Sequence, residues 1–189
     1  MPRRRRNGPM LPLATDRLRI RDFTADDERD LMTLYGEPRI TRHMAHGPRT
    51  ARTARQHLAR VIRDQQEEPR VRWDMAVEPA GGGPLVGACD LALLSRDEAE
   101  VGYLLAPARW GMGLGTEIAT ALLELAFRQL SVDRVQSTVE IHNRRSLRVL
   151  DKAGLRWEAT HKRHVRVGRR WWDVHVYAID RDDWLQAQR

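Results

Sequence analysis

Residues 98 to 130 constrain the fold more than any other stretch of this chain. Glu98-Ala99-Glu100-Val101-Gly102-Tyr103-Leu104-Leu105 alternates as a strand does. Arg109-Trp110-Gly111-Met112-Gly113-Leu114-Gly115-Thr116 follows, and Thr116 to Leu130 then places Ile118, Leu122, Leu125 and Ala126 on one helical face. A helix start leaves about four N–H donors unpaired and carries roughly half a positive charge. Glycines let backbone approach an anion closely and supply dihedrals that other residues resist. Strand, glycine turn and helix in this order therefore make a candidate phosphate grip. The alternative is a tight strand-to-helix turn with no ligand.

The spacing argues against two familiar nucleotide sites. Gly111, Gly113 and Gly115 run G-x-G-x-G, whereas a dinucleotide fingerprint needs G-x-G-x-x-G after the first strand of a βαβ unit. No second βαβ half follows. A P-loop needs Lys before its Ser or Thr, and Gly115 precedes Thr116.

Composition bounds the rest. With 189 residues, 41% hydrophobic and 31% charged, the expectation is one soluble domain over 13–189 behind a disordered basic tail at 1–12. No window reaches the roughly 18 apolar residues of a membrane span, and no membrane contact or signal peptide is expected. Cys89 is the one cysteine, in an apolar run, so it reads as a buried thiol rather than a nucleophile, in a cytoplasmic protein. The net charge of +7 invites a nucleic-acid reading. Lys occurs only at 152 and 162, however, and four positive charges are Arg3 to Arg6 in the tail. An anionic cofactor uses excess positive charge equally well, so nucleic acid is not the expected partner. A nucleic-acid binder would lose affinity steeply with salt.

Elsewhere the pattern reads as a first strand in Leu13 to Phe23, helices at Glu28 to Tyr35 and Thr50 to Gln66, and strands at Val71 to Glu78 and Leu85 to Leu94. After the glycine turn come a strand at Asp133 to Ile141, a helix at Leu147 to Lys152 closed by Gly154, strands at Leu155 to Val167 and Trp172 to Ile179, and a terminal helix with Trp184. The fold class is α+β: a mostly antiparallel central sheet with helices on both faces.

This order resembles the GNAT superfamily of acyl-CoA-dependent N-acyltransferases, and within it the RimJ/RimL type, which acetylates protein N-termini and, in relatives, small amines. The resemblance runs from about residue 13 to 185. It rests on Thr15-Asp16-Arg17-Leu18, Glu100-Val101-Gly102-Tyr103, Arg109 with Gly111, Gly113 and Gly115, Asn143-x-x-Ser146, Lys152-Ala153-Gly154-Leu155, and Asp173 with Trp184. It implies acetyl-CoA as cosubstrate, no metal, and an amine acceptor, the protein being a monomer or homodimer. Arg109, Gly111, Met112, Gly113, Leu114, Gly115 and Thr116 would meet the pyrophosphate. Tyr103, Leu104 and Leu105 would border the pantetheine arm, the thioester carbonyl accepting an N–H near Leu105. Asn143 would hold the pantetheine or a water. The segment Ile40 to Gly47 falls where family members shape the acceptor site, and Trp171 or Trp172 would either pack the last hairpin or wall that site.

Transfer from a bound thioester needs positioning rather than an enzyme nucleophile. The amine must lose a proton first, from a pKa of about 8 for an α-amine or about 10.4 for lysine. Glu100 is the first candidate base, because superfamily members often place a catalytic Glu on this strand; the alternative is a solvated or ion-paired carboxylate. Glu140 is the second, unless its parity faces it to solvent. The family's Tyr proton donor aligns with Leu150, so Ser146 is the candidate donor to the leaving sulfur, or a first-turn cap. His142 reads as an exposed loop residue, and His43, His46 and His57 as no metal set. The missing Tyr also admits a catalytically degenerate acyl-CoA sensor or partner subunit.

Overall fold

Successive side chains of a strand point to opposite faces of the sheet, and apolar residues at both parities bury both faces here. The computed structural model describes residues 11–168 and 170–188. Its eight strands are β1 (Leu13–Ala14), β2 (Leu18–Asp22), β3 (Arg72–Pro79), β4 (Gly87–Leu93), β5 (Glu98–Leu105), β6 (Arg134–Glu140), β7 (Arg156–Val167) and β8 (Arg170–Asp180). They form one sheet in the order β1-β2-β3-β4-β5-β6-β8-β7. Only β5 and β6 run parallel; every other neighbouring pair is antiparallel.

Trp73, Met75 and Val77 of β3 point to one face. There they join Ile118 and Leu122 of α4 (Leu114–Glu124), Leu150 of α5 (Arg144–Lys152) and Trp184 of α6 (Arg181–Ala187). Ala76 points to the other face. It meets Leu31 and Leu34 of α1 (Glu28–Gly36), Ile40 of α2 (Pro38–Thr41) and Leu58 and Val61 of α3 (Ala51–Asp64). At roughly 1.5–3 kcal/mol for each fully buried large apolar side chain, these two cores hold the helices to the sheet. The α+β architecture with helices on both faces is the expected one.

Local differences have physical causes. The run Leu13 to Phe23 is two strands, because Thr15 N donates to Leu18 O at 2.9 Å and turns the chain into a hairpin. The helix expected from Thr116 starts at Leu114, because Gly113 adopts φ 80° and ends the turn. Past Glu124 it widens into a π-turn over Leu125–Gln129, which brings Leu125, Ala126 and Phe127 all into the core. The basic run Arg3 to Arg6 lies outside the described residues, and Leu11 already packs against the core.

The feature that organises the site is where β5 and β6 separate. They pair at Glu98↔Arg134, Ala99↔Val135 and Glu100↔Gln136, and no further. Ser137 Oγ donates to the Val101 carbonyl at 2.8 Å, beyond which the strands part.

Candidate active site

A helix N-terminus attracts anions only if its N–H groups are free. Gly113, left-handed at φ 80°, is the N-cap of α4, and no side chain caps that helix. Glu117, an acid in the first turn, is drawn aside. It accepts Thr15 Oγ1 at 2.5 Å, Arg17 N at 2.9 Å and Arg17 Nε at 2.8 Å. Burial pushes the Glu117 carboxyl up, but the bonds from Thr15 and Arg17 outweigh it and hold it below the usual range. Arg17 Nη1 also donates to Met112 O at 2.8 Å, so the Thr15-Asp16-Arg17 segment pins the glycine turn. Trp110 Nε1 donates to Leu105 O at 2.8 Å, and the Arg145 guanidinium lies 4.6 Å from the Trp110 ring. Arg109, Gly111, Met112 and Gly113 are exposed; Thr116 is half-buried, and Leu114 and Gly115 are buried in the helix start.

The opened edge of β5 follows from its alternation. Ala106 N donates to Val86 O, and Leu104 and Gly102 pair in the same phase with Ala88 and Asp90 of β4. The peptide groups of Val101, Tyr103 and Leu105 therefore face the gap. Leu104 stands apart from them, its side chain buried beneath α1 and α3. Tyr103 packs against Gly115, and its hydroxyl pairs with that of Ser146; burial raises the phenol and Ser146 works against that. The cap of α5 is Asn143, whose Oδ1 accepts Ser146 N at 3.3 Å, so the Ser146 hydroxyl is not the capping group.

The opposite face of the gap carries the acids. Glu100 Oε1 accepts the Thr138 hydroxyl at 2.6 Å. Glu140 does not face solvent: its side chain is 9% exposed, because His43 Nδ1 closes on Oε2 at 2.8 Å and His142 N donates to Oε1 at 3.0 Å. His43 belongs to the segment between α2 and α3, whose His46 stacks on Tyr35 of α1 at 5.8 Å. That segment thus spans the parted sheet from α1 to the end of β6. His57 lies 5.1 Å from the same Tyr35 ring, and burial with Arg49 and Arg60 nearby pushes it down to about 4. Among the described residues no three His, Cys, Asp or Glu side chains could hold a metal. His142 is exposed, and Cys89 is buried, as expected.

A cavity of about 470 Å³ opens between this segment and the β7–β8 hairpin, lined among others by Arg39, Arg42, Met44, Val167 and Trp172. Trp172 walls it, while Trp171 is exposed.

Sequence reasoning singles out neither Asp90 nor Trp110 as a candidate, and it reads His43 only as no metal ligand within the Ile40 to Gly47 segment. Asp90 carried a signal, an acid amid the apolar run Leu85 to Leu94; His43 carried none, since its partner lies 97 residues away.

A sheet parted beside a glycine-capped helix start sets a free strand edge next to an anion-attracting turn. The acetyltransferase (GNAT) domain family matches residues 17–156, and the chain belongs to that family. Uncharacterized N-acetyltransferase p20 of Bacillus licheniformis is 24% identical over 173 residues, covering 90% of this chain and 96% of its own. Uncharacterized N-acetyltransferase YnaD of Bacillus subtilis (strain 168) is 27% identical over 173 residues, covering 91% and 98%. Three solved structures share the fold. A GNAT-family acetyltransferase from Bacillus anthracis has a TM-score of 0.80 at 24% identity, covering 91% of this chain and 99% of its own. Spermidine N-acetyltransferase from Vibrio cholerae, in complex with CoA and spermine, has 0.77 at 19%, covering 90% and 99%. Ribosomal-protein-S5-alanine acetyltransferase from Vibrio fischeri has 0.74 at 16%, covering 93% and 99%. No helix among the described residues is long and apolar enough to cross a membrane.

Proposed function

We propose that the protein transfers an acetyl group from acetyl-CoA directly to a primary amine. The observation that carries this reading is the parting of β5 and β6 after Glu100 and Gln136, beside the uncapped start of α4. Bound acetyl-CoA supplies an acyl group already activated as a thioester. In this reading the N–H groups of Gly111 to Thr116, with Arg109, hold its pyrophosphate. The Tyr103 peptide and the Leu105 N–H, the Leu105 carbonyl being held by Trp110, pair with the pantetheine arm, and the Asn143 amide orients it. A fixed N–H at Leu105 stabilises charge on the carbonyl oxygen without reorganising. Ser146, paired with Tyr103, stands ready to pass a proton to sulfur. The amine approaches from the α1–α3 face, where Glu100 and Glu140 lie.

For the acceptor, the RimJ/RimL-type reading, a protein or peptide N-terminus, is favoured over a polyamine. The cavity beside His43 presents Arg39 and Arg42 with Met44 and Trp172. Arg39 is paired with Glu37 at 2.8 Å, and no partner of Arg42 occurs among the described residues. A second cation of a polyamine would be repelled there, while an apolar or acidic side chain would be accommodated. The V. fischeri and V. cholerae enzymes bear names for these two acceptor classes. The same reading places the protein in the cytoplasm, as a monomer or homodimer.

The test is calorimetric titration with acetyl-CoA, with ATP and NAD as controls, followed by CoA release with N-terminal peptides, small amines and spermidine. Selective binding at about micromolar Kd is expected, with peptides ahead of spermidine. A folded protein that does not bind acetyl-CoA would overturn the transferase reading; spermidine ahead of every peptide would overturn the acceptor assignment alone.

A further inference from the structure

Register brings one more carboxylate to the gap. Asp90 of β4 is the direct partner of Gly102 of β5, two residues past the last β5–β6 pair, and Asp74 of β3 is the partner of Asp90. The row Asp74–Asp90–Gly102 therefore leads across the sheet to the place where β5 loses its neighbour. All three lie on the face covered by α1 and α3, together with Glu100. Gly102 has no side chain to intervene, and the Asp90 carboxylate occupies that space: a Cβ on Gly102 would stand 2.8 Å from Asp90 Oδ1. The other oxygen, Oδ2, accepts Arg72 Nη2 at 3.1 Å. No protein donor meets Oδ1 among the described residues. Glu100, by contrast, already holds the Thr138 hydroxyl at 2.6 Å.

Resting on the transferase reading above, we propose that Asp90 is the base: its Oδ1 receives the ammonium of the acceptor over Gly102 and takes its proton. One ammonium proton passes to Oδ1 and from there to solvent. The freed nitrogen lone pair forms the C–N bond at the thioester carbonyl, the C–S bond breaks with its electrons going to sulfur, and the second nitrogen proton ends on that sulfur. The groups facing Asp90 are Arg72 and Asp74 on β3, Glu100 on β5 and Tyr35 on α1. Burial, opposed by Arg72 and reinforced by Asp74 and Glu100, pushes the carboxyl up to about 6. A base poised near the working pH is the most effective one. The excess of carboxylates also favours an acceptor that arrives as a cation.

The experiment compares wild type with Asp90→Asn, Asp90→Glu and Gly102→Ala, with acetyl-CoA affinity measured by calorimetry on each. Asp90→Asn should lower kcat about 100-fold, leave acetyl-CoA affinity unchanged and abolish the acidic limb of the kcat/KM profile. Asp90→Glu should recover part of the rate. Gly102→Ala, whose methyl displaces Oδ1, should lower kcat about tenfold and add nothing on top of Asp90→Asn. Wild-type kcat with the acidic limb intact in Asp90→Asn would overturn the assignment while the transferase stands. A wild-type protein that binds no acetyl-CoA would overturn both.

Discussion

At Gly113 the backbone stands at φ 80°, which a β-branched residue resists, and a side chain there would point at Arg17 Nη2, 3.4 Å from a Cβ. Gly113→Val should therefore shift the turn and unseat Arg17. The expected outcome is an acetyl-CoA KM raised about tenfold or more, with kcat at saturation little changed. Steady-state kinetics at varied acetyl-CoA decide it, and an unchanged KM would remove the turn from the binding site. Glycines at a strand-to-helix turn are legible in sequence because their conformation follows from the local chain, whereas Glu100 is singled out only by the family resemblance. Asp90 and His43 are less legible: an acid in an apolar run marks Asp90, but its place at the gap comes from the sheet register, and the contact of His43 with Glu140 comes from a folded-over segment. Glu140 shows both sides: its place at the end of β6 was readable, but its burial depends on His43, which periodicity cannot foresee.

Among the elements, β5 was delimited from its alternation alone, Glu98 to Leu105. Leu13 to Phe23 was not, since Thr15 hydrogen-bonds across a turn inside a run that otherwise alternates. The joint between β2, β3 and the turn before α1 is polar. Arg21 donates to both oxygens of Asp27 at 2.8 Å and to Glu78 at 2.9 Å, and Arg19 meets Glu78 at 2.8 Å. Asp27 and Glu78 are 5% and 6% exposed. Burial raises both carboxyls, but the arginines, with Thr24 at Asp27, outweigh it and hold them below their ordinary values. Folded values below unfolded ones mean stability present above about pH 4 and lost as pH falls through the folded values. Thermal melts across pH 7 to 2 should show that loss. Arg21→Met, which leaves two buried carboxylates short of a partner, should cost about 3 kcal/mol at pH 7. A melt unmoved by Arg21→Met would show that the joint is held by its apolar neighbours instead.

The whole molecule sets its two candidate entrances on opposite sides of one sheet. The α4 face carries the glycine turn; the α1–α3 face carries the acids beneath the segment that His43 and His46 fasten at either end. Both meet only where β5 and β6 part. The chain's single thiol, Cys89, is turned into the α4-side core, and burial keeps it well above its ordinary value, with Asp90 and Asp74 adding to the effect. It therefore stays protonated and walled off, and it has no means of carrying the acetyl group between visits of the two substrates. In the direct transfer proposed above, donor and acceptor then occupy the protein together, in a ternary complex, before either product departs. Initial-rate lines at several fixed acceptor concentrations should intersect, and Cys89→Ala should keep the wild-type pattern. Parallel lines, the mark of a covalent relay, would require the acetyl group to rest on a side chain of the gap itself, and so would recast the parted strands as a station rather than a meeting point.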